Sequence, residues 1–302
     1  MGTIIIQASS LFFIIVLGFL LKRWNILTKA DGTTLSIIIV KITLPAVIIL
    51  NLARLTLDTQ LMIFILLGII WSVVQVALAW FLSNKQGRLH QRLMMFCTSG
   101  FNIGNFTLPF VQGFLPLGVP LLSMFDMGNS IMLCGGTKIV VDQITEKDET
   151  ANWKKIARNL LSSIPFTSYV IMLFLRIFSI DLPTTFLTML EPVAQANIFL
   201  SMFMIGLYLE LRLPRTALKE VVKLLTIRYG VGIGVIVLLY FLPIAHLPKL
   251  VLALLAVTPI PLYAVINSVA SGIKEEVVGF ASSISFLISL PLMTVIMVIF
   301  NT

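Results

Sequence analysis

Ten apolar runs, each close to 20 residues long, limit what this chain can fold into more than any other feature. They cover approximately 3–21, 33–51, 60–82, 92–112, 117–138, 159–179, 185–208, 224–244, 248–271 and 276–300. A hydrocarbon core of roughly 30 Å is crossed by about 20 residues rising 1.5 Å each, and only a helix or a closed barrel satisfies its backbone there. The expected fold class is therefore an all-α integral membrane protein with ten transmembrane helices. A soluble alternative fails on composition, since 58% of the 302 residues are hydrophobic and 11% are charged, too little polar surface to clothe a soluble domain. The first run is not preceded by a basic residue and is followed by Lys22 and Arg23, so it is read as a retained anchor and not as a signal peptide.

Charge orients the spans. The loops after odd-numbered spans hold seventeen Lys and Arg residues, among them Arg88, Arg92, Lys154, Lys219 and Arg228, against Arg54, Arg176 and Lys249 on the other side. Basic loops stay in the cytoplasm, which places both termini outside. The net charge of +8 is thus a topology signal, and no nucleic-acid partner is expected. Cys97 and Cys134 fall inside spans and read as small buried residues. His90 and His246 sit in connecting loops without clustered ligands, so neither a metal nor any other cofactor is expected.

The longest loop, residues 142–158 with the stretch KDETANWKKIAR, separates residues 1–141 from 159–302, five spans each. Two five-span halves that share a fold must insert upside down relative to each other. Residues 109–123 align with 268–282 at an offset of 159, matching Gly113 with Gly272 and Ser123 with Ser282. Each half also has one interrupted span. The fourth contains SGFNIGNFTLPF (99–110), and the ninth contains TPIP (258–261). Proline removes a backbone donor and clashes with the preceding turn at a cost of about 3 kcal/mol or more, and lipid offers the freed carbonyls no partner. Paired breaks expose half-helix ends and unwound backbone able to hold a solute, with Asn102, Asn105, Thr107 and Asn267 adding polar side chains beside Pro109, Pro259 and Pro261. The plainer alternative makes Gly100 and Gly104 a packing face and the prolines tolerated kinks.

This layout, the Gly/Asn/Pro-broken fourth span, the FDMGNS of the fifth (125–130) and the proline-broken ninth resemble the auxin efflux carrier family, within the bile acid/sodium symporter fold. The resemblance spans nearly the whole chain, whose short central loop is similar to that of bacterial members. It implies two inverted five-helix repeats in which helices four and nine cross at their breaks. It also implies a scaffold of spans one, two, six and seven, a moving domain of spans three to five and eight to ten, and a homodimer through the scaffold. Members are secondary carriers of organic anions, indole-3-acetate in plants and malate, malonate or related carboxylates in bacteria. Asn102 and Asn105 lie several residues before Pro109, unlike the adjacent Asn and Pro of the plant pattern. The expected substrate is therefore a small carboxylate such as malate.

Ionisable residues within spans mark pathways or partners. Lys41 in span two offers a cation to a carboxylate. Asp126 in span five, and more weakly Glu191 beside Pro192 in span seven, are candidate proton carriers, because a low-dielectric site favours the neutral acid; Asp126 and Lys41 are expected to pair in one transport state. Fixed buried ion pairs or snorkelling side chains are the structural alternative. Sodium coupling would call instead for several neutral oxygens in a cage with few charges. A channel needs a continuous pore, and a membrane enzyme a nucleophile with its base, a metal cluster or paired catalytic carboxylates; no such set stands out. The expectation is a proton-coupled carrier working by alternating access. Reporters fused to either terminus should be active only outside the cytoplasm, and one inserted within residues 144–156 only inside. A cytoplasmic C-terminus would overturn the ten-span count.

Overall fold

A computed structural model describes residues 2–53, 55–56, 58–145, 153–212 and 217–300. Arg54, Arg215 and residues 146–152 of the predicted loop 142–158, including Lys147, lie outside the described residues, and the described remainder of that loop is helical.

The chain forms α1 (Gly2–Arg23), α2 (Lys29–Ile38), α3 (Leu44–Leu52), α4 (Thr59–Ser83), α5 (Arg88–Thr98), α6 (Leu108–Phe114), α7 (Val119–Ile131) and α8 (Thr137–Thr145). These are followed by α9 (Trp153–Leu161), α10 (Ile164–Ile177), α11 (Thr184–Tyr208), α12 (Leu218–Phe241), α13 (His246–Ala256), α14 (Leu262–Ala270) and α15 (Glu275–Phe300). No strand occurs among the described residues. Seven helical stretches are long and apolar enough to cross a bilayer: Ile4–Arg23, Lys29–Leu52, Leu61–Ser83, Pro116–Thr145, Thr184–Tyr208, Leu218–Phe241 and Glu275–Phe300. The chain is a multi-pass, all-helical membrane protein. Its exposed surface agrees: Ile63, Leu66, Ile70, Val74 and Phe81 all stand out of α4, an apolar face too large for water. Ile164–Ile177 and His246–Ala256 are apolar but shorter.

The helices form two compact units, each assembled from separated stretches. Unit one comprises 1–65, 103–127 and 160–209; unit two comprises 66–102, 128–159 and 210–302. Neither is a contiguous half of the chain.

Unit one is organised around α11. Gly18 of α1 and Gly206 of α11 bring these helices together so closely that a Cβ on Gly206 would lie 2.2 Å from the Ile15 carbonyl oxygen, and one on Gly18 would lie 2.4 Å from that of Phe203. Small residues permit such approach where lipid supplies no hydrophobic drive between helices. Thr28 begins α2 with a capping box, donating its backbone N–H to Asp31 Oδ2 at 2.7 Å while its Oγ1 accepts from the Asp31 N–H at 3.4 Å.

Two turns of unit one are widened into π-helix, Ile39–Thr43 and Ile103–Thr107. Each is followed directly by Leu-Pro at the start of the next helix, Leu44-Pro45 and Leu108-Pro109. The proline ring excludes the carbonyl four residues back, at Lys41 and Asn105, and the preceding turn opens to accommodate it. The repeated Thr-Leu-Pro (43–45 and 107–109) thus sets two local openings, and single-turn π-bulges often accompany functional sites.

Gly206→Ala should force α1 and α11 apart, because the atoms met are backbone and cannot rotate away. The expected loss is about 1–3 kcal/mol, the usual range for overpacking, read as a lower melting temperature in detergent. An unchanged melting temperature would contradict the contact.

Candidate functional site

Both interrupted spans are interrupted in the structure, and both gaps belong to unit two. Helix α5 ends at Thr98, and Ser99–Asn102 is non-helical, with Gly100 in the left-handed region at φ 73°. Helix α13 ends at Ala256, and the chain regains helix at Leu262, with Pro261 extended at ψ 149°.

The backbone groups released at these gaps are met by side chains. Arg228 of α12 donates to five carbonyl oxygens. Its Nη1 reaches Cys97 and Thr98 at 3.0 and 2.9 Å, and Nη2 reaches Gly100, Thr258 and Pro259 at 2.9, 2.8 and 2.9 Å. Nε reaches Thr258 at 3.2 Å. A guanidinium has five N–H groups, and all of them are occupied here. Asn129, from the end of α7, brackets Phe101: its Oδ1 accepts the Phe101 N–H at 3.2 Å, and its Nδ2 donates to the Phe101 carbonyl at 3.0 Å. Gln75 Oε1 of α4 accepts the Gly100 N–H at 3.1 Å. In the second gap the Ile260 N–H donates to Ser285 Oγ at 3.0 Å. Asn102 joins the gaps directly, its Nδ2 donating to the Ile260 carbonyl at 3.3 Å and its N–H to that of Pro259 at 3.4 Å.

Local geometry explains how Arg228 reaches both gaps. Gly232, one turn further along α12, lets that helix press against the end of α13; a Cβ there would lie 2.1 Å from the Ala256 oxygen. Residues four apart share a helix face, so the approach that Gly232 permits brings Arg228 to the adjoining gap. Arg228 is only 4% exposed.

The sequence had placed Arg228 and Arg92 among cytoplasmic loop charges. Both are buried in helices, and Arg92 converges with Lys138 on Asp142. Setting the two arginines aside leaves fifteen cations against three, so the bias behind the orientation survives. A second expectation changes more. The unwound backbone was expected to stand open to a solute, whereas five of its carbonyls are held by a fixed cation and two of its residues by Asn129 and Gln75.

The predicted polar residues divide between the units. Asn102, Pro259 and Pro261 lie at the gaps in unit two, all buried. Asn267 of α14 is partly buried. Asn105, Thr107 and Pro109 belong to unit one; Thr107 and Pro109 are buried, and Oδ1 of Asn105 is buried without a hydrogen-bond partner among the described residues. Also in unit one, Asp126 is 6% exposed and accepts from the Tyr169 hydroxyl at 2.9 Å. Lys41 and Glu191 are exposed. Lys41 and Asp126 do not pair in this structure; Asp126 has Tyr169 instead. Buried Asn197 accepts from Thr43 Oγ1 at 2.8 Å, while its own Nδ2 and the Oγ of buried Ser201, one turn along α11, lack partners among the described residues.

No family model matches the sequence, and no curated protein matches it.

Asn129→Ala removes both bonds to Phe101. With about 1–3 kcal/mol lost for each buried polar group left unsatisfied, the variant should melt well below the wild type, while Asn267→Ala should melt close to it. Equal stability of Asn129→Ala and the wild type would show that the gap needs no side-chain support.

Proposed function

We propose that this protein is a secondary active carrier of a small organic anion, a carboxylate such as malate or malonate, working by alternating access and coupled to protons. The observation that carries the reading is the pair of interrupted apolar helices joined within one compact unit. A packing kink needs no such arrangement: one helix bends and its neighbours satisfy it. Two gaps tied through Asn102 and a shared cation make a polar structure inside an apolar protein, and discontinuous helices of this kind hold substrates and coupling ions in carriers. The offset of 159 residues that aligns the halves also carries Gly100 onto Pro259 and Asn102 onto Pro261, so the two gaps fall at matching positions, which supports an inverted repeat; ten spans and both termini outside belong to the same proposal. This is the arrangement of auxin efflux carriers in the bile acid/sodium symporter fold, and a homodimer in the cell membrane belongs to the same reading.

The candidates for solute contact are Asn105 in its π turn, whose buried Oδ1 has no partner among the described residues, and the partly buried Asn267 in α14. Lys41, exposed on the first π turn, supplies a cation. Asp126 is the proton carrier, a buried carboxyl group whose hydrogen bond from Tyr169 fixes its orientation; Glu191, exposed on α11, is secondary.

In proteoliposomes, Asp126→Asn should abolish uptake driven by a pH jump while counterflow exchange of the carboxylate persists. Asn105→Ala and Asn267→Ala should lower both activities without lowering the melting temperature. Wild-type pH dependence in Asp126→Asn would remove the proton assignment. Failure of every mono-, di- and tricarboxylate to bind or exchange would overturn the carrier reading.

A further inference from the structure

Backbone carbonyls released from interrupted helices and turned toward one point are a common protein device for holding a bare cation, because they replace its shell of water oxygens. In unit two the oxygens of Cys97, Thr98, Gly100, Thr258 and Pro259 ring a cation in a related way, each lying 2.8–3.2 Å from one of the three nitrogens of the Arg228 guanidinium. We propose that Arg228 is a tethered cation occupying an oxygen cage that, without this side chain, would bind a monovalent cation such as sodium.

Three observations support the assignment. All acceptors of the guanidinium are neutral. The buried Arg92 of the same unit shows the alternative, a guanidinium on a carboxylate. A cage of neutral oxygens is chemistry for a cation that must keep its charge, whereas an ion pair cancels it. Next, the donors are fully used. Five N–H groups go to the two gaps, leaving none to grip a substrate, so Arg228 acts through its charge and through the backbone it gathers. Finally, the oxygens come from both gaps, three from the first and two from the second. Their convergence depends on a cation being present, since unshielded carbonyl dipoles pointing at one another repel. The gaps are therefore supplied with a permanent ion, and the closed arrangement of unit two does not wait for a soluble one. This bears on the coupling ion of the proposed carrier, yet it is testable without transport.

The experiment follows melting of the purified protein in sodium, potassium and choline chlorides, with methylguanidinium as a further probe. Wild-type melting should be the same in sodium, potassium and choline. Arg228→Ala should melt lower, and methylguanidinium or sodium, but not choline, should restore most of the loss with saturation. Arg228→Lys, which keeps the charge, should stay above Arg228→Met, which keeps the length and loses it. Saturable stabilisation of the wild type by sodium over potassium and choline would overturn the proposal. So would a folded Arg228→Ala indifferent to every cation, or equal losses in the Lys and Met variants. If Arg228→Ala does not fold, the wild-type and Lys/Met comparisons decide. Loss of carboxylate exchange with these melting results intact would count against the carrier and leave the cage standing.

Discussion

The hydrogen bonds of one guanidinium make the rest of unit two possible. Two apolar helices stop inside the protein, and carbonyls removed from both helix and water carry a penalty of several kcal/mol each in lipid. Arg228 answers five of them at once. Burying an arginine is itself unfavourable, and the cost is offset because the oxygens it meets would otherwise be unsatisfied. The exchange works only if the helices are close, which Gly232 secures, and only if the remaining N–H groups are also met, which falls to Gln75, Asn129 and Ser285. Removing any one leaves the others with acceptors or donors out of place, so the set behaves as a network and not as independent bonds.

Unit one solves a related problem differently. Its prolines open π turns without ending the helix, since the chain needs only to move one carbonyl aside. In this unit Asn105 Oδ1, Asn197 Nδ2 and Ser201 Oγ are buried polar atoms that no group among the described residues meets. The main-chain groups at the gaps of unit two are met by side chains, although that unit too holds buried atoms without partners among the described residues, Thr98 Oγ1 and Thr137 Oγ1 among them. A buried polar atom without a protein partner is where a solute or ordered water is best accommodated.

The helical membrane class was legible because apolar runs of about 20 residues admit few other readings, and the gaps were legible because Gly, Asn and Pro seldom gather in a span without breaking it. Arg228 was not. It follows Lys219 and Lys223 on a basic segment, and a pattern of charge alone cannot distinguish the last loop residue from a buried one nearly three turns inside α12. The available signal was its spacing of four from Gly232. Gln75, one of the few polar residues in the third span, gave a similar hint. Asn129 was visible within FDMGNS, but its role depends on Phe101, 28 residues earlier, and pairing at that distance is set by tertiary packing. Asp126 stood out as a charge in an apolar run, while its partner Tyr169 did not, because a tyrosine in a span has many ordinary uses.

Chain order gives the guanidinium a further consequence. Synthesis runs from the N-terminus, and domains ordinarily settle as they emerge. The first interrupted helix is complete by Phe114, yet the side chain that closes its gap lies 128 residues beyond Gly100. Until α12 is made, the carbonyls of that gap lack the guanidinium that meets them in the finished protein. The interval between the two is a defined window of vulnerability in biogenesis, and a chain truncated before α12 carries it permanently.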